Sequence, residues 1–291
     1  AISAAFFWSV SRQDTCTFAA FAGTENRAQK YTIKDQGLER IYYFYKPADL
    51  KPNSPLVVVL HGYGGKADGY RNEFQDLADE MGFAVCVPQG SKDKKNKNCW
   101  KVGYPFQDSM KVDDIKFLKK LVKHLQKEHS LSAENTFCTG MSNGGEMCYL
   151  LAYEAPETFA AVAPIAGLTM QWMIKELEAK QPVPLMEVHG TADKTSLWEG
   201  DVEDKGGWGA YIAVPAAVAN WISINKCTHR EVEELPLLSD KSNKVTVHRY
   251  LGGDNGTEVW LYQVHGGGHT WAMKDLDTPR EIWKFFSKYL K

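Results

Sequence analysis

The 291-residue sequence has no apolar run of the ~20 residues that a membrane-spanning helix needs. It has no CxxC pair and no Cys/His spacing typical of zinc ligands, which argues against a zinc site. Its formal net charge is only −2, so the overall charge favours neither nucleic acid nor an anionic membrane as a partner. No linker, internal repeat or low-complexity segment interrupts the chain. These absences predict one globular domain, which we place at residues 28–291.

Residues 1–27 form a separate N-terminal segment with two interpretations. The stretch Ala1–Val10 is similar to the apolar part of a signal peptide, and Ala20-Phe21-Ala22 is similar to a cleavage site. Arg12 and Asp14 interrupt this pattern, so an ordered or tag-derived segment explains it equally well. The sequence leaves both interpretations open.

The six cysteines fall into two groups. Three lie in apolar strand or helix patterns and are predicted to be buried thiols: Cys86, Cys138 and Cys148. Three lie near loops and could pair in an oxidising compartment: Cys16, Cys99 and Cys227. The sequence does not select the partners.

Strand and helix patterns alternate through the predicted domain. A β-hairpin over 28–46 is followed by strands predicted at 56–60, 83–87, 136–139, 159–166, 185–189, 245–251 and 258–264. Helices are predicted at 68–82, 112–127, 146–153, 170–180, 214–225 and 279–290. This alternation predicts an α/β fold with a doubly wound, mostly parallel sheet. The acidic pair Asp113 and Asp114 suits the first turn of a helix, so we interpret it as structural.

The most informative stretch is 136–150, where a strand pattern, a G-x-S-x-G turn and a helix pattern follow one another. In such a nucleophile elbow, Ser142 occupies a strained turn that presents its hydroxyl above the sheet. Gly140 and Gly144 lack a Cβ atom, so the strand and the helix can pass close to the turn. The backbone N–H of Asn143 would point at a substrate oxyanion from the N-terminus of the helix.

Two further residues complete the constellation in the chain order Ser, Asp, His. Asp193 follows the strand at 185–189, and His269 lies in a glycine-rich loop after the last strand. Because active groups of open α/β sheets gather at the carboxyl ends of the strands, we expect all three on one edge. His269 would accept the Ser142 proton, and Asp193 would hold the imidazole and stabilise its charged form.

Three other histidines and a second glycine-rich turn lie near the predicted site. His265 lies within or at the end of a strand, and His61 and His189 lie beside glycines at strand ends, where they would support the site. The glycine-rich turn after the strand at 56–60 would supply the second oxyanion N–H, from Tyr63 or Gly64.

The sequence contains 9 Trp and 13 Tyr, several of them in glycine-rich loops. Ordinary packing explains them as well as a role as aromatic platforms for a sugar or a phenolic group. Five near the predicted site are candidates for substrate binding: Trp100, Tyr104, Trp198, Trp208 and Trp271. The segments 170–182 and 194–213 could close over the site.

Eight segments occur in an order that is typical of one family: VVVLHGYGG, VPQG, CW, VDDI, TGMSNGG, AAVAPIAG, HGTAD and GGGHTW. They resemble the polyhydroxybutyrate-depolymerase-like esterases, a group that includes feruloyl and acetyl xylan esterases of carbohydrate esterase family one. The resemblance covers residues 30–290 and is more specific than G-x-S-x-G alone. It implies an α/β-hydrolase fold, a secreted or periplasmic location, no cofactor or metal, and Ser142, Asp193 and His269 as the triad.

The sequence departs from this family in three places. Ala272-Met273 replaces the Pro-Gly that often follows Gly-His-Thr-Trp, and 195–200 differs from the usual Val-Pro-Tyr-x-Gly-Gly. Residues 252–256 lack the cysteine that relatives often pair with the one matching Cys227. The first two departures concern the substrate rim, and the third concerns the disulfide.

These patterns predict a serine carboxylesterase acting on ester-substituted plant cell-wall polysaccharide. Feruloyl esters are favoured because a flat phenolic acyl group stacks well on aromatic side chains. An acetyl xylan esterase and a polyhydroxybutyrate-type polyester depolymerase are the alternatives. Retention of all three triad residue types argues against a non-catalytic binding protein, and a peptidase of this fold usually carries an additional domain. No nucleic-acid or membrane partner is expected, and the oligomeric state is not set by the sequence.

Overall fold

The computed structural model describes residues 26–291, so the predictions about the N-terminal segment and Cys16 lie outside the described residues. The strands are β1 (Gln29–Asp35), β2 (Leu38–Tyr45), β3 (Leu56–Leu60), β4 (Ala84–Pro88), β5 (Ser91–Lys92), β6 (Asn98–Cys99), β7 (Thr136–Met141), β8 (Ala161–Ile165), β9 (Leu185–Gly190), β10 (His229–Glu234), β11 (Val245–Leu251) and β12 (Val259–Val264). The helices are α1 (Glu73–Met81), α2 (Asp114–His129), α3 (Asn143–Glu154), α4 (Gln171–Glu176), α5 (Val214–Asn225) and α6 (Thr278–Phe286).

Ten of the strands form one sheet in the order β1-β2-β4-β3-β7-β8-β9-β12-β11-β10. From β4 to β12 in this order, each strand is parallel to the next one. The outer pairs at both ends of the sheet are antiparallel: β1–β2, β2–β4, β12–β11 and β11–β10. The prediction of a mostly parallel sheet is therefore confirmed. The carboxyl ends of β3, β7, β9 and β12 consequently lie on one edge.

Helices cover both faces of the sheet, which explains why its central strands are apolar throughout. In β3, Leu56, Val58 and Leu60 pack into one core with α2, α3 and α5. Val57 and Val59 point to the opposite face and pack with α1 and α6. Because successive side chains of a strand alternate between faces, two covered faces require the continuous apolar run that the sequence shows.

Several element boundaries differ from the sequence prediction. Helix α1 begins at Glu73 rather than at 68, because Gly69 and Arg71 have positive φ angles of 64° and 54° that a helix excludes. Helix α4 is shorter than the 170–180 that we predicted. The strand β10 and the β5–β6 pair were not predicted, and β10 is exposed along its whole length, so it shows no apolar alternation.

The acidic pair at the start of α2 is structural, as its sequence position predicts. Asp113 caps the helix by accepting a hydrogen bond from the Lys116 N–H at 2.9 Å. Asp114 is buried and pairs with the guanidinium of Arg40 on β2, at 2.8 Å. The pair therefore ties the edge of the sheet to a helix.

The five described cysteines are all free thiols. Cys86, Cys138 and Cys148 are buried, which confirms the prediction for these three. Cys99 and Cys227, two of the three that could have paired, are not joined to each other, and Cys99 is buried. No helix within residues 26–291 combines the length and the apolar character that crossing a bilayer requires.

Candidate active site

Ser142 lies at the junction of β7 and α3 with φ 56° and ψ −124°, a strained conformation for a residue with a side chain. A Cβ atom at Gly140 would lie 2.7 Å from the Gly144 backbone, and one at Gly144 would lie 2.4 Å from the Leu60 carbonyl oxygen. Both glycines are therefore required by close backbone approach, as the sequence predicts. The Ser142 side chain makes no capping hydrogen bond to the helix, which leaves its hydroxyl on the carboxyl edge of the sheet.

Asp193 and His269 are brought together at this edge from loops after β9 and β12. His269 Nδ1 lies 2.7 Å from Asp193 Oδ2, and Asp193 is buried. Asp193 Oδ1 accepts hydrogen bonds from the backbone N–H groups of Thr195 (2.8 Å) and Ser196 (2.9 Å). Burial alone would raise the pKa of Asp193, but His269 and the two N–H groups outweigh it and lower the pKa. The carboxylate is therefore charged and fixed against the imidazole.

Ser142 and the Asp193 loop line one small cavity of about 10 Å³. Its walls are Tyr104, Ser142, Glu146, Leu168, Thr195, Ser196 and Trp208. Within residues 26–291 no hydrogen bond joins Ser142 Oγ to His269, whereas the His269–Asp193 bond is formed. Hydrogen bonds of this kind are often long in ligand-free sites and shorten when substrate binds.

The turn after β3 lies against the elbow, where an oxyanion would form. A Cβ atom at Gly62 would lie 3.4 Å from Ser142 Cβ. Of the two predicted donors in this turn, Gly64 already donates its N–H to the Asn98 carbonyl at 2.7 Å, which favours Tyr63. No backbone acceptor within residues 26–291 takes the N–H of Tyr63 or of Asn143, the first residue of α3. These two N–H groups are therefore available to a substrate oxygen.

Two of the five aromatics predicted to bind substrate are buried in the core and do not line the cavity beside Ser142. Trp100 is fully buried, and its indole N–H donates to the His61 carbonyl at 3.0 Å. Trp271 is also buried and donates to the Tyr70 hydroxyl at 3.1 Å. Their loops are anchored rather than open, since the Asn143 side chain bonds both backbone groups of Trp100.

The other three aromatics occupy different positions. Tyr104 is also buried rather than exposed at the rim, yet it lines the cavity beside Ser142. Trp208 is half-buried, lines the same cavity, and packs edge-to-face on the Tyr63 ring at a centroid distance of 5.5 Å. Trp198 is half-buried and packs near the His189 ring, at 6.1 Å, without lining the cavity.

The other histidines near the strand ends are engaged elsewhere. Both ring nitrogens of His189 face acceptors, with Nδ1 2.7 Å from Glu187 Oε1 and Nε2 2.8 Å from the Ser196 carbonyl. Burial lowers the pKa of His61 to about 4, and its Nε2 accepts from the Gly90 N–H at 3.0 Å. His265 Nε2 lies 2.8 Å from the Thr246 hydroxyl. Of these four histidines, His269 is the one that hydrogen-bonds Asp193, and its role with Ser142 remains a prediction.

Sequence reasoning missed Glu146, one helical turn after Ser142. Its side chain is buried, lines the cavity and hydrogen-bonds the Tyr104 hydroxyl. Burial raises the pKa of Glu146 to about 8. The available signal was a single acidic residue in the otherwise apolar run 144–152. In the described part of the chain, no group of three or more His, Cys, Asp or Glu side chains is arranged to hold a metal ion.

The fold and this edge of the sheet define an α/β-hydrolase. An acetyl xylan esterase from Aspergillus awamori has the same fold, with a TM-score of 0.62 at 15% identity, covering 89% of this chain and 99% of that one. The profile described as "Esterase PHB depolymerase" matches residues 40–217, so the chain belongs to that family. The family expected from the eight segments is therefore confirmed.

The curated relatives carry several esterase names. A bifunctional acetylxylan esterase/xylanase of Neocallimastix patriciarum is 25% identical over 258 residues, or 88% of this chain and 34% of the relative. A poly(3-hydroxyalkanoate) depolymerase C of Paucimonas lemoignei is 25% identical over 77% of this chain and 56% of its own. A feruloyl esterase B of Thermothelomyces thermophilus is 30% identical over 43% of each chain. The chain thus spans about a third to about half of the length of these relatives.

Proposed function

We propose that this protein is a serine carboxylesterase that removes short acyl groups, acetyl above all, from carbohydrate esters. The observation that carries the proposal is the small size of the cavity between Ser142 and the loop of Asp193, about 10 Å³. This is far smaller than the ~300–1,000 Å³ of sites for drug-sized ligands, so the site favours the smallest acyl group. With Trp100, Tyr104 and Trp271 buried, the aromatic rim that favoured a feruloyl group from the sequence is reduced.

The first half-reaction forms an acyl-enzyme on Ser142. His269 Nε2 accepts the hydroxyl proton while Oγ attacks the ester carbonyl. The N–H groups of Asn143 and Tyr63 stabilise the oxyanion, and each such donor contributes ~3 kcal/mol to the transition state. Asp193, fixed at 2.7 Å from Nδ1, stabilises the imidazolium. His269 then returns the proton to the sugar alkoxide, which leaves as the alcohol.

The second half-reaction returns the enzyme to its starting state. His269 accepts a proton from water, whose oxygen attacks the acyl carbonyl through the same oxyanion donors. Collapse of this intermediate breaks the bond to Ser142 Oγ, which recovers its proton from His269. The products are acetic acid and free serine, with no cofactor involved.

The name of one relative supports carbohydrate as the alcohol. The protein that matches 88% of this chain is a bifunctional acetylxylan esterase/xylanase. A polysaccharide cannot cross a membrane, so we also place the enzyme outside the cytoplasm, secreted or periplasmic.

A feruloyl esterase is the second candidate, and Trp208 favours it. This side chain lines the Ser142 cavity and is half-buried, so a flat phenolic group could stack on its open face. The feruloyl group would then lie along Trp208 rather than inside the cavity.

A rate comparison separates the two candidates. We would measure kcat/KM for acetylated xylan, 4-nitrophenyl acetate and methyl ferulate, with Ser142→Ala as the blank. The proposal predicts turnover of both acetyl substrates and little turnover of ferulate. Preference for ferulate, lost in Trp208→Ala, would establish the second candidate instead.

A further inference from the structure

The cavity beside Ser142 is lined by two buried polar side chains, those of Glu146 and Tyr104. Glu146 is 1% exposed, and its carboxyl is hydrogen-bonded to the hydroxyl of Tyr104, also 1% exposed. Both side chains line the cavity together with Ser142. A buried carboxyl is costly unless it is paired or neutral, so its presence here needs a reason.

The surroundings keep both groups protonated near neutral pH. Burial raises the pKa of Glu146 to about 8, although the hydrogen bonds from Tyr104, the Asn143 side chain and the Leu168 N–H act in the opposite direction. Burial likewise raises the pKa of Tyr104 well above its usual value. The pair therefore holds two hydrogens, one on the carboxyl and one on the phenol.

Only one of these hydrogens can lie between the two oxygens. The Asn143 amide and the Leu168 N–H both donate toward Glu146, so neither accepts the second hydrogen. The pair consequently has one spare O–H donor, and the space that it borders is the cavity beside Ser142.

We infer that Glu146 and Tyr104 together determine acyl specificity, by placing this spare O–H donor where the acyl chain extends beyond its second carbon. This inference rests on the proposed function and deepens it. The pair admits an acetyl group, accepts an oxygen atom on the second carbon, and disfavours a longer alkyl chain.

The reason is the cost of covering a polar group with methylene. A propionyl group would place its terminal methyl against the O–H donor, which would then have no hydrogen-bond acceptor. A glycolyl group would place a hydroxyl oxygen there, which can accept the hydrogen bond. The two groups are nearly isosteric, so their comparison isolates polarity from size.

The test measures kcat/KM for ethyl acetate, ethyl propionate and ethyl glycolate by pH-stat. Each value is divided by the ester's own rate constant with hydroxide, which removes intrinsic reactivity. We expect the wild type to favour glycolate over propionate by about tenfold, the effect of one hydrogen bond. Tyr104→Phe leaves the carboxyl O–H and Glu146→Gln leaves an amide N–H as a donor to the cavity, so the ratio should stay within about threefold of the wild type.

The double variant Glu146→Met/Tyr104→Phe removes every donor of the pair. Its glycolate-to-propionate ratio should fall to about one or below, because this part of the cavity wall becomes apolar. Glu134→Gln, which lies before β7 at the opposite end of the strand from Ser142, is the control and should keep the wild-type ratio.

A second measurement does not depend on the folding of the double variant. The ionisable groups that face Glu146 are Tyr104, Glu187 and Tyr211. The wild-type ratio should change as the pH rises through about 8, because loss of the Glu146 proton exchanges the spare donor for a carboxylate acceptor. In Glu146→Gln the ratio should remain constant, because the amide that replaces the carboxyl does not titrate.

The outcomes separate this inference from the proposed function. A wild-type ratio near one, or an unchanged ratio in a folded double variant, overturns the inference while Ser142-dependent acetate hydrolysis still supports the function. If the wild type hydrolyses none of the three esters or acetylated xylan, both fail.

Discussion

At the scale of single residues, Asp193 uses its two carboxylate oxygens for different purposes. Oδ2 accepts from His269, while Oδ1 accepts from the Thr195 and Ser196 N–H groups. In Asp193→Asn, the remaining oxygen is needed by those N–H groups, so the NH₂ group would face His269 Nδ1. His269 would then carry its proton on Nε2 and could not accept one from Ser142. We expect kcat to fall by about 10⁴ with little change in stability.

The control for this variant is Asp201→Asn. Asp201 also accepts a backbone N–H, from Gly206 at 2.8 Å, in the segment that follows Asp193, but it bonds no histidine. Kinetics on 4-nitrophenyl acetate and thermal melts of both variants provide the check. Equal kcat values for the two variants would remove Asp193 from its proposed role.

Glu146 gives a prediction about stability as well as specificity. Its pKa in the folded protein is about 8, against an ordinary value of 4.5, because burial disfavours the charged form. Glu146 therefore contributes its full share to the free energy of unfolding below pH 4.5, and this contribution is lost as the pH rises through about 8. Glu146→Gln should abolish that component, which is on the order of 4 kcal/mol between pH 5 and pH 9.

Urea unfolding of the wild type and Glu146→Gln across this pH range measures the difference. The wild type should lose free energy of unfolding relative to the variant as the pH rises. Parallel pH profiles would mean that Glu146 is ionised in the folded protein at neutral pH.

At the scale of elements, the junction of β7 and α3 depends on close backbone contact with the end of β3. In Gly144→Ala the new Cβ atom would lie 2.4 Å from the Leu60 carbonyl oxygen, so the helix would have to move. We expect loss of activity and destabilisation on the order of 3 kcal/mol, because overpacked backbone cannot relax locally.

A glycine at a helix end offers a matched comparison. Gly82 closes α1 with φ 77°, and a Cβ atom there would meet nothing within 4 Å. Gly82→Ala should therefore lose only ~1 kcal/mol, from the left-handed backbone, and keep its activity. Thermal melts and kcat values check both variants, and similar effects at the two positions would contradict the packing argument.

Elements were predictable from the sequence where the local pattern and the tertiary environment agree. β3 is apolar at every position and is buried on both faces, and α5 matches its predicted bounds. β10, with the sequence HREVEE, was missed because an exposed edge strand needs no apolar face. It is held instead by its pairing with β11, which the local sequence does not encode.

The site was predictable to a similar extent and for similar reasons. Ser142, Asp193 and His269 follow strands, so the topology places them on one edge, and their catalytic roles remain predictions. The burial of Trp100 was not predictable, because it results from hydrogen bonds to Asn143 and His61, which are distant in sequence. The position of Glu146 in the cavity wall was not predictable for the same reason, since its hydrogen-bond partner Tyr104 is 42 residues away in the sequence.

At the scale of the whole molecule, the Arg40–Asp114 ion pair connects the sheet to α2 on one side of the site. Both side chains are buried, and Arg40 Nη1 has no hydrogen-bond partner within residues 26–291. Arg40→Met leaves the Asp114 carboxyl without its charged partner, so we expect a loss of ~3–5 kcal/mol. Arg40→Met/Asp114→Leu should recover much of that loss, because no buried charge remains.

Urea unfolding of the wild type, both single variants and the double variant completes this cycle. A loss in Arg40→Met below about 1 kcal/mol would place the pair among weak surface ion pairs. A double variant no more stable than Arg40→Met would show that the pair itself, rather than the cost of an unpaired charge, supports the fold.

In the proposed mechanism, Ser142 is a nucleophile activated by His269. The most direct measurement is peptide mass mapping after treatment with a fluorophosphonate, which reacts with activated serine hydroxyls. We predict one adduct per chain on the peptide containing Ser142, abolished in Ser142→Ala and slowed by orders of magnitude in His269→Gln. Failure of the folded wild-type protein to react, or an adduct on another residue, would contradict the account.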